Sequence, residues 1–138
     1  MNKYVVSAAI VDPKTKKLLL AKRSKDTTYP GLWCTPGGTV EAGESLHDAL
    51  IRELREELLI VSNGYVQKEV YRHDIRSTRS GEMTTVVCYH IPIDAIEGIP
   101  APGDKTEEVR WFSADELSGL AMTPADEANY TALHRLVS

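Results

Sequence analysis

Residues Gly37 to Ile60 read G-G-T-V-E-A-G-E-S-L-H-D-A-L-I-R-E-L-R-E-E-L-L-I, and this stretch decides the fold. Pro36-Gly37-Gly38 predicts a tight turn. A short loop follows, and the chain then has no Pro or Gly until Gly64. A helix is expected to start at Glu44 or Ser45, because a Ser oxygen at the N-cap accepts from an orphan backbone N–H. Positions three and four apart share a helix face. Glu53, Glu56 and Glu57 therefore form an acidic stripe, beside an apolar stripe of Leu50, Ile51, Leu54 and Leu58. Like charges at this spacing repel by a few tenths of a kcal/mol per pair. A hard divalent cation reverses the sign of that effect, since Mg²⁺ takes oxygen ligands from carboxylates, water and phosphates. Alternatively the stripe is a solvated face on which Arg52 and Arg55 pair with neighbouring glutamates.

The chain of 138 residues suits one domain, 1–138, with its own core. Its apolar share of 42% and charged share of 26% are those of a globular protein. No apolar run reaches the length of a membrane span. Met1 to Val6 enters strand-like sequence directly and lacks a signal peptide's apolar region. Cys34 and Cys88 are far apart without metal-ligand spacing, so two free thiols in a reducing cytoplasm are expected, with a disulfide as the alternative. The net charge of −4 argues against binding polymeric nucleic acid. A small phosphorylated substrate remains compatible with it, as does a homo-oligomer.

Outward from the helix, strands are expected at Tyr4 to Val11, Lys17 to Arg23, Tyr65 to Ile75, Met83 to Ile91 and Glu107 to Phe112. Lys17 to Arg23 is a continuous apolar run of the kind covered on both sheet faces. Leu32 to Thr35 is a short extended piece, in which Trp33 either packs against the sheet or stacks a base. Loops are expected at Ser24 to Gly31, Ser77 to Gly81 and Ile96 to Lys105. Ser113 to Leu117 has capping-box form. Thr123-Pro124 starts a last helix running to about Leu136.

The stretch resembles the Nudix box, Gly-x5-Glu-x7-Arg-Glu-U-x-Glu-Glu-x-Gly-U with U bulky and aliphatic. Gly38, Glu44, Arg52, Glu53, Leu54, Glu56, Glu57 and Ile60 match it, and Leu59 stands where the family has Gly. A Gly there would allow a left-handed helix exit. With Leu, the helix is expected to run a turn further, towards Gly64, or to end without that motif. The resemblance implies an α/β fold, a mixed β-sheet in an α/β/α sandwich. It implies hydrolysis of a nucleoside diphosphate linked to another group, with Mg²⁺ or Mn²⁺ activating water and polarising phosphoryl oxygens.

By match to the motif, Glu56 and Glu57 are metal ligands, with a backbone carbonyl of Gly37 or Gly38, and Glu53 is a ligand or the general base. Clustering is expected to raise at least one carboxylate pKa in the metal-free state. Arg52 is expected to hold Glu44 or a catalytic glutamate, and Glu44 to be structural. Arg23 resembles a position that contacts substrate phosphates, or is a surface cation. Asp104, Glu107 and Glu108 are either a further acid of the site or solvated residues. Arg72, Arg76 and Arg79 meet phosphate or balance the acidic helix. His73 and His90 read as strand residues.

Ile75, Arg76, Ser77 and Thr78 occupy the positions where family subgroups carry a Pro for ADP-ribose or a Tyr for dinucleoside polyphosphates. Neither marker is present. G-L-W-C-T-P-G-G resembles the MutT-type entry into the box. The expected substrate is thus a nucleoside triphosphate, cleaved to monophosphate and pyrophosphate. A nucleotide sugar or other diphosphate is the alternative. A binding module without turnover is a third reading, opposed by the presence of all three glutamates.

Overall fold

A computed structural model describes residues 3–77 and 80–138. Among these, seven strands form one mixed sheet. The central strand is β1 (Lys3–Asp12), and β2 (Lys17–Arg23) returns antiparallel to it. The turn between them is held by Lys14 N–H donating to Asp12 Oδ1 at 2.9 Å. Next come β3 (Trp33–Cys34), β4 (Gly37–Thr39) and helix α1 (Leu46–Leu58). A short strand β5 (Val61–Ser62) precedes the long antiparallel pair β6 (Lys68–Arg76) and β7 (Met83–Pro92). Then follow β8 (Ile96–Glu97), β9 (Thr106–Phe112) and the short helices α2 (Ala114–Leu117), α3 (Pro124–Ala128) and α4 (Tyr130–Arg135).

The strand order is β3-β2-β1-β7-β6, with β9 beside β2. β7 lies parallel to β1 along almost its whole length. The opposite edge of β1 changes partner midway. β2 pairs with Ile10 to Asp12, β4 pairs with Val5 to Ser7, and Ala8 N–H between them donates to Pro36 O. This switch brings the Gly37-Gly38 turn to the middle of the sheet.

Side chains of β1 and β2 alternate between two buried faces. Val6, Ala8, Ile10 and Leu19 pack beneath Leu50, Leu54 and Leu58 of α1. Ala9, Val11, Leu18 and Leu20 pack with Trp33, Phe112, Leu117 and Leu133 towards α2–α4. The result is the expected sandwich of α1, sheet and C-terminal helices. Trp33 is only 7% exposed and meets Phe112 edge to face, with ring centroids 4.9 Å apart. Its backbone also pairs with Ala121 O and Thr123 N–H. The packing reading of Trp33 holds over base stacking.

Four sequence expectations need correction. Leu59 does adopt the left-handed conformation, at φ 58° and ψ 32°. Burial of Ile60, which has no exposed surface, pulls the chain inward there, and Ile60 N–H donates to Leu54 O. The helix therefore stops, and Val61–Ser62 pair with Ile96–Glu97 inside the segment expected to be only loop. The strand expected from Tyr65 begins at Lys68, and Tyr65 is exposed. The last helix is broken at Asn129, whose side-chain amide donates to Ala125 O at 2.8 Å. Such local bonds compete with the helical backbone. Of the Ser77 to Gly81 loop, Thr78 and Arg79 lie outside the described residues.

Trp33→Ala is expected to lower unfolding free energy by roughly 3–5 kcal/mol, as for other buried large aromatics. Leu59→Gly should instead gain about 1 kcal/mol, because Leu59 is 57% exposed and strained. Urea unfolding of the two variants checks both signs.

Candidate active site

Ser45 caps α1 by accepting from Asp48 N–H at 3.0 Å. The helix then lies so close to β4 that a Cβ on Gly38 would fall 2.5 Å from the Glu53 carboxylate. A Cβ on Gly37 would fall 1.9 Å from Val6 O. Only glycine permits this approach. As a consequence Glu53 and Glu57 are 9% and 8% exposed, while Glu56, on the same helix, stays exposed to solvent. The acidic stripe thus separates into two inward carboxylates and one outward.

Arg52 ties the region together. Its Nε donates to Glu44 Oε2 at 2.7 Å and its Nη2 to Glu44 Oε1 at 3.0 Å. Its Nη1 donates to Glu53 Oε1 at 2.9 Å, and Nη2 also reaches Thr39 O at 3.0 Å. Such a fork fixes geometry as well as charge. The Arg52 bonds and the Glu41 N–H hold the Glu44 carboxyl down at about 2. Glu44 is the anchor of Arg52, as its structural reading expects.

Glu57 is pushed up to about 7, first by burial and then by the Glu53 charge, against the Gly37 N–H, Arg23 and Lys105. Gly37 N–H donates to its Oε1 at 3.3 Å. Glu53 is also raised by burial, with Arg52 opposing. Desolvation, more than mutual repulsion, is therefore the main cause of the raised values.

These residues line an open cleft of about 790 Å³. Glu53, Glu56, Glu57, Gly37, Gly38, Arg23 and Arg76 all border it. Sequence reasoning missed a second group on the same cleft: Thr35, Tyr71, Lys105 and Asp126. Asp126 is 2% exposed and accepts from Thr35 N–H at 2.7 Å and from the Tyr71 hydroxyl at 2.6 Å. Thr35 Oγ1 adds a bond at 3.0 Å. The only sequence signal was the helix start at Thr123-Pro124, which does not reveal that α3 points a carboxylate across the sheet.

Other expected residues stay away from the cleft. Glu108 pairs with Arg110, and Glu107 lies 4.0 Å from Lys22, in line with the solvated reading. Arg72 pairs with Glu69. Neither histidine of β6 and β7 borders the cleft, and burial lowers the His90 pKa. Cys34 and Cys88 are free thiols. Burial pushes the Cys34 thiol up to about 12, which leaves it protonated and a poor nucleophile.

Among the described residues, no three His, Cys, Asp or Glu side chains converge enough to hold a metal ion alone. The donor set nevertheless fits a hard cation. Two desolvated carboxylates and a glycine turn supply oxygens, and Mg²⁺ completes its shell with water and phosphate.

A family model described as NUDIX domain matches residues 1–136. The chain belongs to the Nudix family. It is similar to the CTP pyrophosphohydrolase of Escherichia coli strain K12, at 35% identity over 91% of this chain and 87% of that protein. It is also similar to the ADP-ribose pyrophosphatase of Methanocaldococcus jannaschii, at 33% over 86% of this chain and 69% of that one. The solved structure of the E. coli ORF135 protein superposes with a TM-score of 0.80 at 32% identity, covering 98% of this chain and 90% of that one. The chain is a Nudix hydrolase with the α/β family fold, and Nudix hydrolases generally use divalent metal ions on small nucleotide substrates. Among the described residues no helix is long and apolar enough to cross a membrane.

Burial of Glu57 has a measurable sign. Its carboxyl holds a proton more tightly in the folded state, about 7 against 4.5. In metal-free protein this contribution is complete below the unfolded value and is lost as pH rises through the folded one. Stability in EDTA should fall by on the order of 3 kcal/mol from about pH 4.5 to about pH 7.5 on account of Glu57. Glu57→Gln should flatten that slope. Denaturant melts at both pH values decide it, and equal slopes would remove the desolvation account.

Proposed function

We propose that this chain hydrolyses a nucleoside triphosphate to the monophosphate and pyrophosphate, with Mg²⁺ as cofactor and Mn²⁺ as its substitute. One observation carries the reading. A single cleft joins the inward carboxylates Glu53 and Glu57 to a buried hydrogen-bonding carboxylate, Asp126, with Arg23 on its wall. Its volume of about 790 Å³ suits a nucleotide. The first end fits a polyphosphate and the second the polar edge of a base. The relative named for CTP supports a triphosphate.

Glu56, Glu57 and a carbonyl of Gly37 or Gly38 would hold the metal, with Glu53 as a further ligand or the base. When bound, Mg²⁺ neutralises polyphosphate charge and lowers the pKa of water. The protein's own residues do the rest. Glu53, with its raised proton affinity, accepts a proton from the attacking water. The water oxygen forms a bond to phosphorus, the bond between the α- and β-phosphates breaks, and pyrophosphate leaves with the electron pair. Arg52 keeps Glu53 in place through its 2.9 Å bond and is itself fixed by Glu44. Arg23 meets phosphate oxygens. The domain acts as one unit over residues 1–138, in a reducing cytoplasm consistent with its two free thiols.

A second reading, hydrolysis of ADP-ribose or another nucleoside diphosphate-linked group, is favoured by the archaeal relative. A substrate screen with Mg²⁺ separates them, and triphosphates should release pyrophosphate rather than orthophosphate. EDTA should abolish turnover. Glu53→Gln should cost roughly 10²–10⁴-fold in kcat at saturating metal. Glu57→Gln should be rescued in part by excess Mg²⁺. Near wild-type kcat in Glu53→Gln would remove Glu53 as the base.

A further inference from the structure

The loop between β8 and β9 is docked on the end of α1 by its backbone. Ala101 N–H donates to Leu58 O at 3.0 Å, Gly103 N–H to Glu57 O at 2.7 Å, and Asp104 N–H to Glu56 O at 2.9 Å. These bonds satisfy carbonyls that a helix C-terminus otherwise leaves unpaired. The fit is close, since a Cβ on Gly103 would lie 2.3 Å from Glu56 O. The next residue is Lys105, held at φ 60°. A side chain rarely occupies that conformation, and one that does is over-determined by its surroundings.

The surroundings point the residue at the cleft. Lys105 borders it together with Glu53 and Glu57. Its carbonyl accepts from Ser24 N–H at 3.1 Å, and the following Thr106 pairs with Arg23 in the β2–β9 register. Two cations, Arg23 and Lys105, thus come from neighbouring backbone positions to the cleft that the two buried carboxylates also line. Arg23 is also bound to Thr28 O through its Nε. Lys105 forms no ion pair within 4.0 Å among the described residues. Its ammonium has three donors to offer an anion.

We propose that Lys105 is a positioning residue for the departing pyrophosphate. It acts beside Arg23 and is aimed by the left-handed turn that follows the docked loop. The assignment rests on the triphosphate reading above. Carboxylates suited to a cation repel a free polyanion, and a neighbouring ammonium offsets that repulsion at the end of the substrate that leaves. The strain at φ 60° then has a use: a residue in ordinary extended backbone at this point would send its side chain elsewhere.

Isothermal titration of the Mg²⁺-loaded protein with inorganic pyrophosphate tests the assignment. Lys105→Met should weaken binding about tenfold, the loss of one charge-assisted contact. Lys105→Arg should stay within about threefold of wild type. Lys105→Gly should lose affinity as Met does, yet melt at or up to roughly 4 °C above wild type, because glycine fits the left-handed turn. That opposition between affinity and stability separates positioning from a structural role. Pyrophosphate affinity in Lys105→Met within twofold of wild type would overturn the assignment, as would a wild type that binds no pyrophosphate. Turnover of nucleoside triphosphates by the wild type is scored separately. Its absence removes the substrate reading, whereas turnover with unchanged Lys105→Met affinity removes only Lys105.

Discussion

The close approach of α1 to the Gly37-Gly38 turn is the constraint on which the rest depends. Apolar burial of Leu50, Leu54 and Leu58 against Val6, Ile10 and Leu19 drives the helix onto the sheet. At most positions side chains would hold the two elements apart. Here the absence of a Cβ on Gly38 lets the Glu53 carboxylate fill the gap, while bare Gly37 lets the turn itself lie against the backbone of β1. The hydrophobic packing of one helix flank thus forces carboxylates on its edge out of water.

Burying carboxylates is costly unless they are paired or neutralised. The fold compensates unevenly. Glu44, half-buried, receives the strongest part of Arg52 and is held far below its ordinary value. Glu53 receives one guanidinium bond, and Glu57 only a long one from Gly37 N–H. If stability alone governed the arrangement, the cation would pair most fully with the deepest acid. It does the reverse, leaving the buried pair short of positive charge. A deficit of this kind is what a divalent cation and its phosphates would fill.

Much of this was legible in the sequence because it is local. Helical spacing placed the glutamates on one edge, Ser45 marked the start, and Pro36-Gly37-Gly38 marked the turn that precedes it. β2 showed its two-faced burial as a continuous apolar run, and β1 showed its strand character in its β-branched residues. What could not be read depends on partners distant in the chain. Glu53 and Glu57 differ from Glu56 because of the rotation of α1 against the sheet, which spacing does not give. Asp126 meets Thr35 across 91 positions of sequence, through a register that neither segment encodes alone. The break at Asn129 turned on one side-chain bond competing with the helix, and propensity does not resolve such a competition.

The exit of α1 shows how a missing local signal is replaced by tertiary contacts. A glycine at position 59 would end the helix by its own conformational freedom. Leu59 has no such freedom, so the termination is enforced from both sides. Ile60 is drawn into the core ahead of it, and three N–H groups from Ala101, Gly103 and Asp104 occupy the last carbonyls. The requirement for glycine has in effect moved to Gly103, where the second segment touches the helix backbone. This has a consequence for the cleft. An intrinsic stop would leave the β8–β9 loop independent of α1, whereas an imposed stop fixes that loop against the helix bearing the three glutamates. The backbone that leads to Lys105 is thereby referenced to Glu56 and Glu57 themselves. A side chain arriving from the far end of the chain is held in register with the acidic edge by the same bonds that end the helix.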